Sequence, residues 1–183
     1  VINSGKHAGV DADIQEHMIM PVGFKNFREA LRAGVETYHS LKGILKKKHG
    51  AKAILLGDEG GFAPPIEKVE DRLELLMEAI KESGYSGKIK LALDCAASEF
   101  YDEKSGKYKI INKKYDRNEL IDFYKKLVGK FPIISIEDGF AQDDWNGWQQ
   151  FNKELGNKIQ IVGDDLLVTN IGRIKRALNR KAC

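Results

Sequence analysis

IKLALD at 89–94, IISIED at 133–138 and IQIVGDD at 159–165 are three short runs built mostly from apolar and β-branched residues. A strand with one wet face alternates apolar with polar. Near-continuous apolar runs instead mark strands covered on both faces, as in a parallel sheet. Each run is followed by a helical pattern, and strand–helix–strand alternation predicts an α/β fold.

The helical patterns lie at 24–49, 66–83, 117–129, 144–155 and 170–181. The first carries Phe24, Phe27, Leu31, Val35, Tyr38, Leu41 and Leu45 on one face and stops at Gly50. The second carries Val69, Leu73, Leu76, Met77 and Ile80, with Gly84 after it. The third begins after Asp116 with Glu119 three positions on, a capping-box pattern. VIN at 1–3 and EHMIM at 16–20 read as two strands with no helix between them. The polar stretch 97–116 reads as a small hairpin around Ser105-Gly106.

Each of the three buried runs carries an acid at its end: Asp94, Glu137 and Asp164. One such acid is an ordinary helix cap. Three in succession are more informative, because parallel barrel strands bring their C-terminal ends to one face, where barrel active sites lie. Converging anions repel unless a cation sits among them. Carboxylate oxygens without Cys or His select a hard ion, so the pattern predicts a Mg2+ site. Asp138 and Asp165 adjoin two of these acids. Strand alternation predicts that both point elsewhere and act as caps or supporting groups.

LLGDEGGFAPP at 55–65 places Asp58 and Glu59 on a loop bounded by glycines and closed by Pro64-Pro65. Taken alone it reads as a solvated turn. With a metal site to face, it reads as an acid held by its backbone near a substrate, with the prolines stopping the loop and starting the next helix. His7 lies in the Gly-flanked NSGKHAG, and Glu16 stands just before a strand of large apolar residues. Neither carries a functional reading alone.

The 183 residues hold 42% hydrophobic and 31% charged residues, with a net charge of +3. That composition suits a globular protein and points to no nucleic acid partner. Lys46-Lys47-Lys48 ends a predicted helix, where cations favour the dipole. Cys95 and Cys183 form no disulfide framework and suggest a reducing compartment. No apolar run approaches the roughly 20 residues of a membrane span. A start at Val1 without methionine and a stop in LNRKAC suggest a piece of a longer chain.

Together, KHAG (6–9), QE (15–16), GDEGGFAP (57–64), LALDCAASEFY (91–101), SIEDGFAQDDW (135–145) and VGDDLLVTN (162–170) resemble the enolase (phosphopyruvate hydratase) family, in the family's order and over nearly the whole chain. The resemblance implies a ββαα(βα)6 TIM-like barrel, left incomplete here. Residues 1–183 would be a partial C-terminal catalytic domain with about five of the eight strands of a barrel. AILL at 53–56 then belongs to the connection carrying GDEGG rather than to a strand.

The implied chemistry is Mg2+-dependent interconversion of 2-phosphoglycerate and phosphoenolpyruvate through an ene-diolate, a chemistry in which a Lys or His base works with one or two Mg2+ ions. Two Mg2+ ions per site are implied. By position, Asp94, Glu137 and Asp164 match the metal ligands, with Glu137 and Asp164 also beside the substrate. Glu59 matches the general acid, Glu16 its substrate-contacting partner, and His7 a substrate-side histidine on a mobile loop. A cytoplasmic homodimer is also implied.

Three departures stand out: Gly139 where the family usually has proline, SGKHAG for a more glycine-rich approach to His7, and the apolar ILL at 54–56. The family's catalytic lysine, its later phosphate-binding residues and its N-terminal α+β domain would fall outside the chain, leaving the segment inactive by itself. Another Mg2+-dependent superfamily enzyme, such as a racemase or sugar-acid dehydratase, would share the strand-end acids but generally lacks GDEGG. A non-catalytic binding protein of the same ancestry would have no reason to hold five mutually repelling carboxylates.

Overall fold

The computed structural model describes residues 1–9 and 13–183, with the side chains of Lys6 and His7 outside that description. The main sheet is built from β1 (Ile2–Asn3), β2 (Glu16–Pro21), β3 (Ile89–Asp94), β7 (Ile133–Glu137) and β8 (Gln160–Val162), in that spatial order. The pairs β1/β2 and β2/β3 are antiparallel, whereas β3/β7 and β7/β8 are parallel. The described residues form an open sheet rather than a closed barrel.

A three-stranded antiparallel sheet of β4 (Tyr101–Asp102), β5 (Lys107–Ile110) and β6 (Lys113–Tyr115) fills the polar stretch after β3. The expected hairpin is therefore present, with Gly106 at φ +66° in its turn, and a third strand extends it.

The helices are α1 (Phe27–His49), α2 (Val69–Glu82), α3 (Arg117–Lys130), α4 (Trp145–Leu155) and α5 (Ile171–Arg180). No helix among the described residues is long and apolar enough to cross a membrane. The α1 helix starts three residues later than its periodicity suggests, because the Asn26 side chain accepts the Glu29 N–H and sets the cap there. The reciprocal Asp116–Glu119 capping box opens α3 as expected.

The α2 helix does not follow directly from Pro64-Pro65. It begins at Val69, after an extended Lys68, and the Arg72 side chain reaches back to the Ile66 carbonyl at 3.3 Å. Arg72 also forms a buried, two-pronged ion pair with Asp13, its Nη2 donating to Asp13 Oδ1 at 2.7 Å. That pair ties the chain leading into β2 to α2.

The core lies between the sheet and its helices. Leu73, Leu76 and Ile80 from α2 share one buried cluster with Leu91 and Leu93 from β3, and Trp148 and Phe151 bury the inner face of α4. Asp144 of the DDW triplet is spent on structure. It accepts from Tyr108 Oη at 2.7 Å and from Arg117 Nε at 2.8 Å, and it caps α4 through the Gly147 N–H at 3.0 Å. Gly139 has a packing reason: a Cβ there would lie 2.8 Å from the Phe151 ring.

Candidate functional site

Strand register builds the site. Asn3 pairs with Glu16, Glu16 with Asp94, and Asp94 with Glu137, forming one row across four strands. Directly paired residues project from the same face of a sheet. Because β2 runs against β3, its first residue, Glu16, reaches the rim where β3 and β7 end. Like charges opposite one another cost stability, so a row of three acids marks a site with a function.

Asp94, Glu137 and Asp138 each place a carboxylate oxygen within 4.8 Å of the others. Burial, then the charge of Glu137, pushes Asp94 up to about 7. Burial also raises Glu137, with Asp164, Asp165 and Glu59 adding to it. The cluster thus holds more negative charge than its own surroundings offset. An all-oxygen donor set of this kind fits a hard divalent cation.

Asp164 lies two residues beyond the end of β8, exposed in the following turn and close enough to act on Glu137. The expectation that Asp138 points away from the cluster fails. Its φ is +43°, which breaks strand alternation and swings its side chain to the rim. It nonetheless acts as a cap. Asp138 Oδ2 accepts the Asp164 and Asp165 N–H groups at 3.2 and 2.9 Å, and Oδ1 accepts that of Leu166 at 3.4 Å. Burial pushes Asp138 up to about 6, while the Asp165 and Leu166 N–H groups pull it down. Asp165 is half-buried beside it.

Glu59 reaches the same rim from its loop. The loop closes on itself through Gly57 N–H to Gly61 O at 2.8 Å, with Gly60 at φ +79°. Phe62 is bridged to Ile2, and Tyr38 Oη donates to Gly60 O at 2.9 Å. So anchored, Glu59 neighbours Glu16, whose carboxyl is pushed up to about 7 by burial first, then by Glu59 and Asp94. One proton shared between two facing carboxyls is the arrangement that general acid catalysis at neutral pH needs. Asp58 is exposed on the turn.

His7 falls in the short 3-10 helix Gly5–Ala8, and its side chain lies outside the described residues. The sequence reading missed Asn3, which appeared only as a strand residue. Its side chain bridges Glu59 and Gly61. No local pattern signals this, since the partners are more than fifty positions away.

Fold and site define an α/β domain of the barrel type with an acidic cluster at the C-terminal ends of its parallel strands. The family model described as "Enolase, C-terminal TIM barrel domain" matches residues 1–183. The chain is 55% identical, over its whole length, to proteins named enolase from Thermococcus gammatolerans and Methanopyrus kandleri. It is 52% identical over 97% of its length to that of Pyrococcus furiosus. The chain belongs to the enolase family. It spans about 43% of the length of the first two relatives.

Proposed function

We propose that residues 1–183 are part of the C-terminal catalytic domain of an enzyme that reversibly dehydrates 2-phosphoglycerate to phosphoenolpyruvate. The observation that carries this reading is the row Glu16–Asp94–Glu137 with Glu59 held beside its end by Asn3. A proton-sharing carboxyl pair and a cation-ready cluster stand side by side. The reaction needs both, because it expels hydroxide next to a carboxylate whose negative charge grows.

Asp94 and Glu137 of the cluster would hold Mg2+ together with Asp164, which stands outside the cluster on the turn whose backbone Asp138 caps. When bound, the cation supplies Lewis-acid stabilisation of the substrate's carboxylate charge. Glu59 delivers a proton to the departing hydroxyl oxygen, and Glu16 receives or returns the shared proton as the reaction reverses. His7 contacts substrate from its loop. The lysine base and the phosphate-binding residues are assigned outside residues 1–183. We place the complete protein in the cytoplasm as a homodimer.

The test is phosphoenolpyruvate formation from 2-phosphoglycerate by the full-length protein carrying these residues, with and without Mg2+. Mg2+-dependent turnover supports the reading. Its absence overturns it.

A further inference from the structure

We propose that Asn3 is a positioning residue for Glu59, holding the acid loop and aiming its carboxyl at the reacting oxygen. Asn3 is only 3% exposed. Its Nδ2 donates to Glu59 Oε2 at 3.1 Å, and its Oδ1 accepts the Gly61 N–H at 2.8 Å. Its own N–H donates to the Phe62 carbonyl at 2.9 Å. The last residue of β1 is thus tied to the loop by side chain and backbone alike.

The direction of the amide follows from its partners. Turned over, its NH2 would face the Gly61 N–H and its carbonyl would face a carboxylate oxygen, and both contacts repel. Asn3 therefore serves Glu59 only as a donor. Gly61 is matched to this arrangement, since a Cβ there would lie 2.6 Å from Asn3 Oδ1. Asn3 also pairs in register with Glu16. One β1 residue thereby sets the Glu59 loop against the strand that carries Glu59's partner.

This assignment rests on Glu59 being the proton donor proposed above. The discriminating variant is Asn3→Asp, made in the full-length protein. It keeps an acceptor for Gly61 but removes the donor to Glu59. Loss of aim at a reacting group costs on the order of 100-fold. We expect kcat for dehydration to fall by about 10- to 100-fold with KM changed by less than about threefold. Exchange of the C2 proton of 2-phosphoglycerate with solvent deuterium should persist, because it does not need Glu59.

Dehydration at the wild-type rate in Asn3→Asp overturns the proposal, as does dehydration and exchange falling together. If Asn3→Asp does not fold, judged by circular dichroism and thermal melting, Asn3→Ala replaces it. The same split between exchange and dehydration is then expected, and the same two outcomes overturn the proposal. An unmodified protein inactive on 2-phosphoglycerate would defeat the functional reading itself. Active wild type with unaffected variants would defeat only the role of Asn3.

Discussion

Asp94 and Glu137 stand directly opposite one another at the ends of two parallel strands, with carboxylate oxygens less than 4.8 Å apart. Burial and neighbouring acids raise both. The pair is therefore unfavourable by itself and suited to a cation.

Separation of metal binding from proton delivery is the first expected outcome. In the full-length protein, Asp94→Asn should weaken Mg2+ binding by at least about 10-fold, since even groups supporting a ligand are worth about 10- to 100-fold. Glu59→Gln should leave Mg2+ affinity unchanged and slow dehydration by about 10²- to 10⁴-fold. Calorimetric Mg2+ titration and steady-state kinetics measure the two. Equal loss of Mg2+ affinity in both variants would contradict the separate roles.

Asp138 should matter for Mg2+ through backbone geometry. Asp138→Ala strips the acceptors from three N–H groups at 164–166. Mg2+ affinity should fall about 10- to 100-fold as Asp164 loses its fixed position. Asp138→Asn keeps one carbonyl acceptor and should lose less. The same titration ranks the two variants, and a larger loss in Asp138→Asn would count against the capping role.

The metal-free protein should become more stable as pH falls. Asp94 and Glu16 are raised to about 7 and Asp138 to about 6, against about 4 in an unfolded chain. The folded state therefore binds these protons more tightly than the unfolded state does. Their stabilising contribution is full below about pH 4 and is lost as pH rises through 6 to 7. Thermal melting should show a higher Tm at pH 5.5 than at pH 8 without Mg2+. Added Mg2+ should raise Tm more at pH 8, and a metal-free Tm that rises from pH 5.5 to 8 would refute the account.

The Arg72–Asp13 pair, with both side chains 2% exposed, should be costly to break from one side. Arg72→Met leaves a buried unpaired carboxylate and should destabilise by about 3–5 kcal/mol. Arg72→Met combined with Asp13→Leu should recover much of that loss. Urea unfolding of the variants measures both effects, and a double variant no more stable than Arg72→Met would show that packing, not charge, dominates there.

The order of strands and helices was legible because apolar periodicity is local. IKLALD and IISIED became β3 and β7 nearly unchanged, whereas IQIVGDD kept only Gln160–Val162 as β8. The helix starts were less legible, because a cap at Asn26 and extended backbone at Lys68 outweigh periodicity at the first turn. Asp138 escaped the alternation rule through a single left-handed residue.

The sequence by itself determined that Asp94 and Glu137 end buried strands and that glycines bend the Asp58-Glu59 loop. Only the tertiary structure decided that Asn3, Glu16, Asp94 and Glu137 stand in one row with Glu59 at its end. The physical reason is register. It is set by hydrogen bonds between strands far apart in the chain, and a slip of one residue would turn each of these side chains to the opposite face.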